Sequence, residues 1–172
     1  MVTSVIFVKS AMGDSSDSLS VEGKKQVIKT AKFLEGVSFS KVFSSDSKNA
    51  IETAELLGGN EIFVRNELFE FNKIVFEEEP EGEDFFNENI DKALKSKAFF
   101  EEVLRDNRDS KVLIVAHRNV IRYLVCCALK LKPHSSPNIF INNSSVTHLF
   151  FDGSDLISVG CINSTAHLFL DE

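Results

Sequence analysis

Residues Val112-Leu-Ile-Val-Ala116 form an unbroken apolar run that ends on His117 and passes at once into a second pattern, Val120, Ile121, Leu124, Val125, Ala128 and Leu129. Five consecutive apolar residues read as a strand covered on both faces, and the spacing that follows predicts a helix. A chain built this way is constrained to an α/β fold. In open α/β sheets ligands bind outside the carboxyl ends of the strands, so His117 stands where chemistry is done. The bland reading is a histidine that merely satisfies its hydrogen bonds at a strand end.

A second apolar run, Ser4-Val-Ile-Phe-Val-Lys9, ends in the small polar cluster Lys9-Ser10-Ala11. A helix is predicted from about Val21 to Gly36, with Val27, Ile28, Ala31 and Leu34 inward and Gly36 as its C-terminal cap. Lys41-Val-Phe43 and Ile62-Phe-Val64 read as short strands. Between them a helix from Ser47 to Leu57 stops at Gly58-Gly59. A long helix is expected from Phe85 to Arg105, and the end reads as a β pair, Ser145–Phe151 and Asp155–Gly160, turned by Asp152-Gly153-Ser154. Strands alternating with helices imply a three-layer α/β/α sandwich with a mainly parallel sheet. The 172 residues suit one domain, and 43% hydrophobic residues describe a soluble globular protein.

Charge narrows the partners. A net charge of −7 gives no electrostatic footprint for nucleic acid or an anionic membrane. Six carboxylates crowd Glu77–Asp84, which reads as a solvated, self-repelling loop. Cys126, Cys127 and Cys161 have neither disulfide-framework nor zinc spacing, so they read as core residues in a reducing compartment. No metal-ligand cluster and no cofactor motif is visible. No leader or membrane span precedes the first strand, so the expectation is a cytoplasmic chain.

Taken in order, the strand ending Lys9-Ser10-Ala11, the helix start Leu19-Ser-Val-Glu-Gly23, the helix start Ser44-Ser45-Asp46-Ser47-Lys48-Asn49-Ala50 and the segment His117-Arg-Asn-Val-Ile-Arg122 resemble the histidine phosphatase superfamily. These are the phosphoglycerate mutase-like proteins. His117–Leu129 and Ile141–Leu149 most resemble a mitochondrial serine/threonine phosphatase branch. That resemblance implies a phosphohistidine mechanism: a histidine nucleophile after the first strand, two arginines and a second histidine on the phosphoryl oxygens, and a glutamate acid. It also implies a homodimer through the catalytic domain and a membrane anchor ahead of that domain, so a domain trimmed from a longer mitochondrial-type protein is the alternative to a cytoplasmic chain.

Set on these residues, the resemblance shows losses. Ser10 stands at the nucleophile position, Lys9 and Asn49 at the two phosphate-binding arginines, and Ala11 at a glycine. His117 and Glu70 keep their types. Lysine retains charge without the guanidinium fork, and asparagine retains neither. Serine needs a base to attack, and His117 is the candidate base. The expectation is a pseudophosphatase that binds protein partners, with a weakly active serine/threonine phosphatase as the alternative. His148 and His167 read as structural, and His134 as solvated. Phe69, Phe71 and Phe76 are either a joint apolar surface or a satellite core beneath the acidic run.

Overall fold

The computed structural model describes residues 1–59, 61–71 and 88–169. Six strands form one sheet in the order β3-β2-β4-β1-β5-β6. They are β1 (Thr3–Lys9), β2 (Lys41–Ser45), β3 (Ile62–Arg65), β4 (Lys111–Ala116), β5 (Val146–Asp152) and β6 (Asp155–Ser164). β1 pairs with β4, β4 with β2 and β2 with β3 in parallel, while β5 runs antiparallel to both β1 and β6. The expected C-terminal hairpin is present, with its second strand carried on to Ser164.

Both apolar runs are buried because helices cover both faces. Side chains alternate along a strand, so Val5 and Phe7 share one core with Val112 and Ile114, while Ile6 and Val8 share the other with Leu113 and Val115. The first core is closed by α3 (Glu88–Asp106) and α4 (Arg118–Ala128), through Phe99, Phe100, Val103, Val120, Ile121 and Leu124. Phe7 and Phe100 meet with ring centroids 5.5 Å apart. The second is closed by α1 (Val21–Phe33) and α2 (Lys48–Leu56), through Val27, Leu34, Ala50 and Ala54.

Three sequence readings are corrected. Helix α1 ends at Phe33 with Leu34 as its cap, three residues before Gly36; Gly36 instead takes the left-handed conformation (φ +80°) in the turn beyond. Ile28 is 54% exposed, because Val27 and Thr30 are the residues α1 turns inward. Phe69 and Phe71 do not form one surface: Phe71 is buried edge-on against Tyr123, and Phe69 is exposed beneath the Lys92 ammonium. Phe76, the acidic run Glu77–Asp84 and the expected start of α3 at Phe85 lie outside the described residues.

The loop after β1 is tied to α1 by close backbone packing. Ser20 caps α1 by accepting from Gly23 N at 3.0 Å, and Ser20 donates through both its N–H and its hydroxyl to the Met12 carbonyl at 3.0 Å. A Cβ on Gly23 would overlap that carbonyl. We therefore expect Gly23→Ala to destabilise the fold by about 1–3 kcal/mol despite alanine's better helix propensity. The exposed neighbour change Lys24→Ala should stay within about 0.5 kcal/mol. Urea denaturation of both variants makes the comparison.

Candidate functional site

The register of three parallel strands assembles the site. Lys9 lies opposite Ala116 across β1 and β4, and Ser44 lies opposite Val115 across β2 and β4. Ser10 and His117, the residues that follow β1 and β4, and Ser45, the last residue of β2, therefore lie together at the carboxyl end of the sheet. His117 is the N-cap residue of α4, its backbone extended (φ −97°, ψ 167°), and its ring is buried. Ser10 Oγ is 3.4 Å from Nδ1 of that ring, and Ser45 Oγ and Ser47 Oγ are each 3.0 Å from Nε2.

Counting donors fixes the tautomer. Asn49 Nδ2 donates to the Ala11 carbonyl at 3.1 Å, so its Oδ1 is the acceptor for the Ser47 hydroxyl at 2.8 Å. Ser47 has one hydroxyl proton and gives it to Asn49, so Nε2 of His117 must donate to Ser47. Ser45 spends its own proton on Asp46 at 3.4 Å and accepts a share from the same Nε2–H. Nδ1 is left as a bare lone pair facing the Ser10 hydroxyl. Asn49, expected at an anion clamp, is committed instead to the loop after β1 and to the imidazole's orientation.

Burial lowers the His117 pKa to about 4, and the Lys9 ammonium pushes in the same direction. The ring is therefore neutral at physiological pH. Lys9 is lowered to about 8, first by burial and then by the Arg118 guanidinium; Glu70 works the other way. Lys9 Nζ donates to Asn143 Oδ1 at 2.8 Å. Glu70 is raised above the usual carboxylate range by burial, against the pull of the backbone N–H of Asn119, which its Oε1 accepts at 3.2 Å, and of Lys9. Its other oxygen, Oε2, is 4.0 Å from His117 Nδ1, beyond hydrogen-bonding distance.

Lys9, Ser10, Glu70 and His117 thus converge, and Asn49 reaches His117 through Ser47. Ser45 and Ser47 are the partners that sequence reasoning missed. Their signal was present in the serine-rich start of α2, but a hydroxyl names no partner until β2 is placed beside β4. Ala11 is fully buried, its N–H donating to Thr53 Oγ1 at 3.3 Å.

His148 and His167 are structural. His148 shares a 2.7 Å hydrogen bond with Ser4 Oγ. His167 is buried between Thr30 Oγ1 and the Ser144 carbonyl, each 3.1 Å from Nε2, and stacks on Phe33. His134 is exposed. No group of three or more potential metal ligands occurs among the described residues, and no described helix is long and apolar enough to cross a membrane.

A sequence profile of the histidine phosphatase superfamily, branch 1, matches residues 9–163. The chain belongs to that superfamily. It is 29% identical over 169 residues to the mitochondrial serine/threonine-protein phosphatase Pgam5 of Drosophila mojavensis, covering 90% of this chain and 58% of that protein. The Drosophila persimilis protein of the same name is 32% identical with the same coverage, and the human one is 24% identical over 144 residues, covering 77% of this chain and 50% of that protein. The chain thus spans a little over half the length of the fly relatives. Its fold superposes on phosphoserine phosphatase from Entamoeba histolytica, solved with 3-phosphoglyceric acid, at a TM-score of 0.77 and 19% identity, covering 97% of this chain and all of that one. A putative α-ribazole-5'-P phosphatase from Escherichia coli gives 0.75 at 14%, covering 94% and 96%.

The neutral imidazole generates a pH prediction. Its folded pKa of about 4 lies below the unfolded value near 6.5, so between those values the unfolded chain binds more protons than the folded one. His117's contribution to stability is complete above pH 6.5 and is lost as pH falls toward 4. Carbon-13 NMR of the imidazole should give a midpoint near 4. The melting temperature of the wild type should fall more steeply from pH 6.5 to 4 than that of His117→Asn.

Proposed function

We propose that residues 1–172 are one histidine-phosphatase domain that has kept the fold, has lost efficient phosphoryl transfer, and serves as a binding or scaffold protein. The observation that carries this reading is Ser10 at the nucleophile position. Its hydroxyl is fully buried, and its base is an imidazole lowered to about 4. A nucleophilic hydroxyl needs a base whose proton affinity matches the working pH, and this one is too weak by more than two units at neutrality. Loss of a nucleophile costs on the order of a million-fold in a well-studied hydrolase. The position of a second arginine clamp is occupied by Asn49, whose side chain is already committed at both ends.

The second reading, a weakly active serine/threonine protein phosphatase, draws on the convergence of Ser10, His117 and Glu70 and on the phosphatase activity for which the Pgam5 relatives are named. Turnover of p-nitrophenyl phosphate and of a phosphopeptide separates the two. The expected rate is no greater than that of His117→Ala. A rate clearly above that control establishes the phosphatase instead. Protein contacts are the remaining use of the fold, with a second copy of the chain as the first candidate partner. Light scattering at micromolar concentration should give a dimer mass; a monomer mass throughout rejects the homodimer.

A further inference from the structure

Between α1 and the start of α4 lies a pocket of about 270 Å³ whose polar lining comes from Gln26, Arg118, Asn142, Asn143 and Thr165. The chain's turn at Leu168 and Phe169 closes it with apolar surface. That volume is just under the roughly 300–1,000 Å³ of sites that take drug-sized ligands. It suits a small organic molecule. No carboxylate is among the lining residues.

The lining is rich in donors held in place. Arg118 Nε is anchored on the Ile141 carbonyl at 3.0 Å, which fixes the guanidinium plane and leaves its two amino nitrogens without a partner among the described residues. Asn143 Oδ1 accepts from Lys9, so its amide nitrogen is the end left to donate. The Thr165 hydroxyl has no partner among the described residues either.

Charge points the same way. Arg118 lies close enough to both Lys9 and Arg122 to oppose their protonation, and Glu70 is the carboxylate that offsets those two. A chain of net charge −7 has gathered three cations around the start of α4. An anion neutralises them, and a planar guanidinium with both amino groups available matches an oxyanion bidentately.

We infer that this pocket binds a small organic anion, its carboxylate or phosphoryl head on Arg118 and Asn143 and its carbon skeleton against Leu168. The site is distinct from the imidazole cluster and stands whether or not that cluster turns over. Carboxylate and phosphoryl heads share this chemistry, and two probes separate them.

Titration calorimetry of the whole chain with glycerate and with glycerol 2-phosphate is the test. At least one should bind saturably, and more weakly as ionic strength rises; the tighter of the two identifies the head. Arg118→Gln should weaken binding about tenfold or more, the range lost with one charged hydrogen bond. Leu168→Trp, which adds bulk to the apolar wall of the pocket, should abolish it with the far-ultraviolet circular dichroism and the cooperative melting of the fold retained. This second variant decides the matter if Arg118→Gln does not fold. His117→Gln should leave the affinity within about twofold, well inside the change expected for a lost contact. Three results overturn the inference: no saturable binding of either probe, binding indifferent to both pocket variants, or binding lost with His117→Gln and kept in Arg118→Gln, which would seat the anion on the imidazole.

Discussion

The pairing of β1 with β4 is the constraint on which the rest of the molecule depends. Each strand presents apolar side chains to both faces, and each is fully interior, so neither can be stable until helices close both sides. That requirement fixes α1 and α2 on one face and α3 and α4 on the other. It also fixes the site, because parallel register puts the residues after each strand at the same height. Ser10 and His117 meet across 107 residues of sequence as a by-product of how Val5–Val8 and Val112–Val115 are packed.

The imidazole's surroundings read as consistent with holding a neutral ring. Burial and a neighbouring ammonium both oppose protonation, and Nε2 is occupied by two serine hydroxyls whose own protons point elsewhere. An asparagine two residues from one of those serines sets the tautomer at a distance. The contacts around the ring are hydroxyls and one carboxylate too far away to bond.

β1 and β4 were legible because continuous apolar runs of four or five residues have few other uses, and His117 was legible because it follows one directly. The helices were legible to within a few residues for the same reason. What the sequence could not disclose is which hydroxyl meets which ring nitrogen. Ser45 and Ser47 sit in a serine-rich turn where each is chemically alike, and only the placement of β2 against β4 selects them. Ile28 failed for a related reason: a helical stripe is wider in the pattern than the surface available to receive it. Phe69 and Phe71 are two residues apart in an irregular segment, where no periodicity says which one turns inward. Arg118 was visible as a charge next to His117, but its anchoring on Ile141 depends on a segment 23 residues away.

The clasp made by His167 has a consequence for how the molecule comes together. Thr30 and His167 are 137 residues apart, and the Ser144 carbonyl bonds to the same ring nitrogen. A loop of that length is closed only at an entropic cost that nearby contacts do not bear, and such non-local contacts slow folding. The final turn therefore has nothing to hold until β5 has been laid against β1 and α1 has docked on the sheet. The recess between Arg118 and Leu168 is accordingly a property of the finished molecule: a chain still emerging from its synthesis, or one locally opened at its end, has the sheet and the imidazole but lacks that wall.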